Sequence, residues 1–381
     1  MSQFECPVVR VHIEPHPNAD AIEIARVGDF QSIVKKGQFK DGDLAVYLPE
    51  ASLLPEWMLK ELGMWDDLNA KGKLHGKDGN RIKAIKLRGV LSQGITFPVE
   101  LRGTVSVVHR PATPDHGGDA VVAEGSDVAE FLGVTKYEPI VPANMAGKAL
   151  GANLDITHKY DFENIKKHPN LFEPGDDVVI TEKIHGTLLQ VSVVPSSMAD
   201  ERFFGGRVVI TSKGLGGRGI ILDHNDEGNV YAQAVKKHKI LEEALRVLGP
   251  LADARDLPMV LFGEVFGAGI QDLSYGAQLD FRAFDISIGV RDAAVFVPHY
   301  DFEHLCDSMR VNRVPQIYVG PFDREILLEC TDGKTTLAGG HIREGVVVKS
   351  RNEDRHPRYG RKIAKSISEA YLLRKNATEF Q

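Results

Sequence analysis

Thr181-Glu182-Lys183-Ile184-His185-Gly186-Thr187 lies between the apolar runs Val178-Val179-Ile180 and Leu188-Leu189, with Val191 close behind. Short apolar runs of this kind read as buried strands. The stretch therefore sets a lysine at a strand end, beside a glycine that lets another backbone or a ligand approach closely. A lysine so placed can act as a nucleophile. With a reference pKa near 10.4, roughly one free lysine in 2500 is neutral at pH 7. The expectation is that burial and nearby cations lower that value and release the lone pair. Taken alone, K-x-x-G is more often a lysine whose stem packs on a strand while its head reaches water.

Further polar signatures follow in order, each attached to a strand-like apolar run. They are Ser212-Lys213-Gly214, Phe262-Gly263-Glu264-Val265-Phe266-Gly267, Phe281-Arg282-Ala283-Phe284-Asp285-Ile286, Arg343-Glu344-Gly345-Val346-Val347-Val348-Lys349 and Lys362-Ile363-Ala364-Lys365. Glu264 and Glu344 each adjoin a glycine at a strand end, and hard carboxylate oxygens suit Mg²⁺ or a ribose. Phe284 offers a π-face on which a base can stack, or a core side chain.

This ordered set resembles the covalent nucleotidyltransferase superfamily of RNA ligases, DNA ligases and mRNA capping enzymes. Its K-x-H-G-T opening is similar to RNA ligases in particular, whereas DNA ligases more often carry Asp at the position of His185. The resemblance covers residues from about 140 to 381. It implies ATP as cofactor with Mg²⁺ or Mn²⁺, and attack of Lys183 on the α-phosphorus to give a lysine–AMP phosphoramidate, a chemistry of positioning and charge neutralisation. It assigns Glu182, His185, Gly186, Lys213, Glu264, Phe284 and Lys349 to the nucleotide and Glu344, with Glu264, to the metal. Lys362 and Lys365 are the implied catalytic phosphate contacts; they are three apart where the family usually has K-x-K, and Lys365 is the first choice for the α-phosphate. Lys213 stands where many relatives carry arginine. A packed, neutral His185 is the alternative to a ligand-binding one.

The first 140 residues read as β-rich, with short apolar runs (Val8–Val11, Ile22–Val27, Leu44–Leu48, Ile82–Leu87, Gly94–Phe97) split by Gly, Pro, Asn and Asp. Many short strands in a small domain suggest a barrel, with an OB-type fold as the natural candidate. His16-Pro17-Asn18-Ala19-Asp20-Ala21-Ile22-Glu23 resembles the entrance to tRNA-binding OB modules. Lys86-Leu87-Arg88-Gly89-Val90-Leu91-Ser92-Gln93-Gly94 resembles the N-terminal OB domain of Deinococcus-type RNA ligases, which seal nicks in duplexes. Sixteen residues follow Lys365, where DNA ligases and capping enzymes usually carry an OB domain. Helices are expected over Glu56–Leu62, 229–248, 299–309 and 368–375. Gly214-Leu215-Gly216-Gly217-Arg218-Gly219 matches G-x-G-x-x-G, but no helical period follows it, so a mobile loop is expected rather than a dinucleotide turn.

Composition sets outer bounds. Hydrophobic residues form 43% of the 381, enough for full cores in two domains. Three widely spaced cysteines without C-x-x-C argue against a disulfide scaffold and fit a reducing, cytoplasmic compartment. The start Met1-Ser2-Gln3-Phe4-Glu5 lacks the regions of a signal peptide, and no apolar run suggests a membrane span. A net charge of −7 does not favour nucleic acid, yet residues 351–375 hold eight basic against three acidic side chains, and Arg81, Lys83, Lys86 and Arg88 form a second basic stretch. His109 and His116 beside Asp115 and Asp119 lack the spacing of a metal site.

The expected architecture is thus α+β: an OB-like β-barrel over residues 1–140, then an antiparallel-sheet adenylyltransferase domain over 141–381. The expected function is ATP-dependent ligation of RNA ends or of a nicked RNA-containing duplex, with no membrane partner and a monomer sufficient for the chemistry. The alternatives are a DNA ligase or guanylyltransferase of the same superfamily, or a non-catalytic RNA-binding OB protein.

Overall fold

The computed structural model of the chain describes residues 4–111, 117–375 and 378. His116 and Asp115 fall outside this set; His109 pairs with Asp119 at 2.9 Å, and no group of three or more His, Cys, Asp or Glu poised to hold a metal occurs among the described residues. The chain divides into two compact units at Glu138–Pro139.

The N-terminal unit is built from short antiparallel strands. Leu44–Leu48 runs between Val8–Arg10 and Ile95–Pro98, and His12–Pro15, Ile22–Val27 and Phe30–Lys35 form a meander. Side chains alternate across a strand with period two. Val46 and Leu48 accordingly enter a core with Leu54, Met58, Phe97 and Leu132, while Ala45 and Tyr47 enter another with Val11, Ala25 and Phe39. A strand buried on both faces is the wall between two cores. The expected helix is present over Glu56–Glu61.

The second unit contains two antiparallel sheets. The larger has seven strands in the order Ala149–Ala152, Ile220–Leu222, Val208–Ser212, Thr187–Val193, Met259–Phe266, Asp280–Ile288, Val295–Phe296. The smaller has four, in the order Gln316–Pro321, Asp177–Lys183, Gly345–Ser350, Ile363–Ile367. Lys183 ends a strand of the smaller sheet and Thr187 begins one of the larger. The residues Ile184-His185-Gly186 are therefore the crossing between the sheets. Gly186 is needed there, because a Cβ would lie 2.3 Å from the Val265 carbonyl oxygen and 2.9 Å from Glu264 Cγ.

Helices cover the larger sheet. The expected single helix over 229–248 is two, Val230–Lys237 and Ile240–Arg255, because Lys239 takes a left-handed conformation (φ 51°). Asn229 caps the first by accepting from the N–H groups of Tyr231 and Ala232. The second continues through Pro250, held by burial of Leu248, Gly249 and Ala252 on the sheet. His299–Met309 is helical as expected, but the last helix spans only Glu369–Leu372. Lys213–Gly217 is a helical turn, not a loop; Gly216 packs where a Cβ would be 2.7 Å from Gln190 Nε2 and 2.8 Å from the His158 carbonyl oxygen. An additional helix, Arg324–Thr331, starts where Asp323 accepts from the N–H groups of Glu325 and Ile326. No helix among the described residues is long and apolar enough to cross a membrane.

Candidate active site

Strand periodicity sorts the motif residues onto two faces. In the smaller sheet Thr181 pairs with Val347 and Val347 with Lys365, while Lys183 pairs with Gly345. The odd-numbered set Thr181, Lys183, Val347, Lys349, Ile363 and Lys365 lines one cavity of about 440 Å³. The even-numbered Ile180, Val346, Val348 and Ala364 fill the core behind. From the larger sheet the cavity takes Thr187, Leu188, Glu264 and Phe284, and from the connecting segments Asp161, Phe162 and Lys213. The volume falls in the usual range for a small-molecule site.

Lys183 Nζ is 2.7 Å from Glu344 Oε1. Burial favours the neutral amine, but the charges of Glu344 and Glu264 outweigh it and raise the Lys183 pKa above the ordinary lysine value. This corrects the expected lowering: the neighbours that decide are carboxylates, not cations. Glu264 bears the reciprocal strain. Burial pushes its carboxyl up to about 8, against the pull of Lys183 and with Glu344 adding repulsion. Glu344 Oε2 is buried with no hydrogen-bond partner. Lys365 is pushed down to about 8 by burial and by Lys213, whose own ammonium is 3.3 Å from Asp161.

The two candidate lysines of the last motif separate cleanly. Lys365 faces the cavity. Lys362 does not; it lies outside the lining and its ammonium is 2.7 Å from Asp176. Glu182 also departs from expectation. It borders the cavity, but its carboxylate accepts hydrogen bonds from Thr335 Oγ1, Thr336 Oγ1 and the Thr336 N–H, as an even-numbered neighbour of Lys183 must turn away from it. Lys349 lines the cavity yet is committed to the fully buried Asp285, at 3.2 Å, and to Glu353, at 3.6 Å. Arg361 meets the other Asp285 oxygen at 2.7 Å, and Tyr160 donates to it at 2.8 Å. Phe284 is partly buried against Tyr160 (5.3 Å between ring centres) and also faces the cavity, so core and lining roles coincide.

His185 has both ring nitrogens engaged. Tyr371 Oη is 2.9 Å from Nδ1, and Asp272 Oδ1 is 2.9 Å from Nε2, with Arg374 at 3.1 Å. Arg374 in turn makes a paired contact to Asp272. Burial would raise the Asp272 pKa, but hydrogen bonds from His185 and Arg374 hold it well below the carboxylate range. Asp161, Asp272, Asp285 and Tyr371 were not singled out from sequence, and Arg374 counted only as part of the basic run at 351–375. Of the four, only Asp285 carried a signal, as an acid in the Phe-x-x-Phe-Asp run; Asp272 and Tyr371 meet His185 across 87 and 186 residues of chain.

An RNA ligase family model matches residues 176–367, just over half of the chain. The chain belongs to the RNA ligase family. An OB-fold domain model matches residues 8–99 of the same ligase. Among solved structures, a mutant of Naegleria gruberi RNA ligase with ATP and Mn is 24% identical, covering 97% of this chain and 98% of its own, with a TM-score of 0.72. Another mutant of that enzyme, with AMP and Mn, is 24% identical over 96% and 97% (TM-score 0.71). An apo mutant is 25% identical over 96% of each chain (TM-score 0.71). The ligase therefore shares the fold of that enzyme, OB-fold domain first and sheet-rich ligase domain second. No curated protein matches it.

Proposed function

We propose that the chain uses ATP and Mg²⁺ or Mn²⁺ to join an RNA 3′-hydroxyl to a 5′-phosphate, acting on nicks in RNA-containing duplexes. The observation that carries this reading is the cavity with Lys183 at its edge, Glu344 at 2.7 Å and Lys365 on the same sheet face. In the first step the Lys183 amine attacks the α-phosphorus of ATP; a P–N bond forms, a P–O bond breaks and pyrophosphate leaves. In the second, a 5′-phosphate oxygen attacks the lysine-bound adenylate and frees the amine. In the third, the 3′-hydroxyl attacks the activated 5′-phosphate and AMP departs.

Each step asks for charge neutralisation and alignment. Lys365 and Lys213 are the cations for the phosphates, and Phe284 with Val347 gives apolar walls for a base. The proton on Lys183 must leave before attack. Glu344 and Glu264 fit a divalent ion: Mg²⁺ is typically held by one or two carboxylates with substrate phosphates completing its shell, and Glu344 Oε2 is buried without a hydrogen-bond partner. When bound there, such an ion would offset the carboxylate charge that retains the Lys183 proton and the charge on the phosphates. The OB-fold domain is the proposed nucleic-acid holder, with a monomer sufficient.

The test is incubation with α-³²P-labelled ATP and Mg²⁺ or Mn²⁺, followed by denaturing electrophoresis. Protein-bound label is expected, and none in Lys183→Ala. Absence of label from the unaltered chain overturns the reading. Nicks with RNA or DNA on each side, and GTP in place of ATP, separate RNA sealing from DNA sealing and from guanylyl transfer.

A further inference from the structure

The basic run at 351–375 is mostly committed inside the fold. Arg351 pairs with Asp177, Arg361 with Glu353 and Asp285, Lys362 with Asp176 and Arg374 with Asp272, while Lys365 lines the cavity. Arg355 and Arg358 differ. Both are exposed, on or beside the small hairpin Arg355–His356 and Gly360–Arg361, and neither has a carboxylate within ion-pair distance among the described residues. Of the acids nearby, Glu353 pairs with Arg361, Asp176 with Lys362 and Glu163 with Lys167, while Asp354 accepts from the Ser350 hydroxyl and keeps its charge, one against the two arginines. Positive charge is left over at this point of the surface.

Beside Arg358 stands a stack of rings. Tyr359 lies 4.3 Å from His168 (21° between planes) and 4.6 Å from His356 (22°), and Arg358 sits 5.5 Å from the Tyr359 ring centre. All three rings are partly exposed. The N–H groups of Arg358 and Tyr359 donate to His356 Nδ1. A neutral His356 therefore carries its proton on Nε2, a donor with no partner among the described residues.

The stack is tied to the cavity by two short lengths of chain. Asn164 bridges to Lys365, whose N–H donates to the Glu163 carbonyl, and His168 is four residues further. Four residues reach at most about 14 Å. Tyr359 is six residues before Lys365 on the other side. Nucleic acid carries a phosphate about every 3.4 Å of axis on each strand. The patch thus lies within the first handful of nucleotides from a strand end held at Lys365.

We propose that Arg355, Arg358 and the His168–Tyr359–His356 stack grip the sugar-phosphate backbone of the RNA strand whose end is held at Lys365, a contact distinct from the nucleotide cavity and from the OB-fold domain. It rests on the ligase reading above. Unpaired cations beside flat rings and an outward N–H donor are the chemistry of sequence-independent backbone binding.

The experiment uses the full chain and a fluorescein-labelled nicked duplex with a 5′-phosphate RNA strand, without ATP, over a series of KCl concentrations. Arg355→Gln/Arg358→Gln is expected to weaken binding about ten-fold near 0.1 M salt and to lower the slope of log Kd against log salt by about one to two, since two phosphate contacts are lost. Self-labelling by ATP, read in the same preparations, is expected to fall far less than nick binding. Arg358→Glu alone gives the same direction if the double variant folds poorly, as judged by circular dichroism. Affinity and slope equal to those of the unaltered protein overturn the proposal. Failure of the ligase reading shows separately, as absence of label on the unaltered protein.

Discussion

Lys183 and Glu344 close an ion pair of 2.7 Å at the ends of adjacent strands, with the lysine side chain 27% exposed and the glutamate 8%. Removing one partner strands the other. Glu344→Ala is expected to cost about 2 kcal/mol, less than the roughly 3–5 kcal/mol of a fully buried pair because Lys183 keeps some water. Lys183→Met/Glu344→Leu should regain most of that loss, and none of these variants should take up label from ATP. Thermal unfolding of Lys183→Met, Glu344→Leu and the double variant is the measurement; strictly additive losses would show that the pair is not coupled.

Gly186 admits no side chain. Gly186→Ala drives a methyl group against the Val265 carbonyl and Glu264 Cγ, so the crossing between sheets must shift. A loss of about 2–3 kcal/mol is expected, with labelling lost as well because the shift moves Lys183. Normal labelling in this variant would contradict the close approach.

Lys365 trades stability for charge in the cavity. Its folded pKa, pushed down to about 8 by burial and Lys213, lies below the ordinary 10.5. Below pH 8 both folded and unfolded chains hold the proton, and the cost of the buried charge is present in full. Between about 8 and 10.5 the unfolded chain binds more protons, so stability rises with pH. Above that range the cost is gone. Lys365→Met should raise Tm by about 3 °C at pH 7, show little gain near pH 10, and abolish sealing. A gain independent of pH would point to better packing instead.

Tyr371 holds His185 from the side away from Asp272. Tyr371→Phe leaves Nδ1 of a buried imidazole without its partner, a cost of about 1–2 kcal/mol. Lysine–AMP formation is expected to slow about ten-fold at saturating ATP with little change in KM, because His185 follows Lys183 by two residues and its Nδ1 lies 3.8 Å from Glu344, the partner of Lys183. A change in KM alone would instead mark His185 as a nucleotide contact.

The parts of this structure that follow local rules were readable from the chain. Ile22–Val27 and Leu44–Leu48 are strands at the expected residues, since short apolar runs and flanking glycines mark them. The motif strands were legible for the same reason, and Lys183, Glu264, Phe284, Glu344 and Lys365 share one cavity. What was hidden depends on distant partners. Nothing near Lys349 announces that Asp285 claims it, and the direction of the Lys183 shift depends on Glu344, 161 residues away. The split of the 229–248 helix came from one residue, Lys239, whose left-handed backbone no local propensity foretells. Asp323, by contrast, was a readable cap for the unexpected helix after it.

The three-residue crossing from Lys183 to Thr187 has a mechanical result. The nucleophile rides on one slab and the acid Glu264 on another, so the reacting groups stay in register only while both slabs remain docked. Mild denaturant that loosens this docking should silence the enzyme while each slab keeps its hydrogen-bonded ladder. Loss of ATP labelling is therefore expected at a lower urea concentration than loss of far-ultraviolet ellipticity, and coincident curves would mean that the slabs part only when they melt.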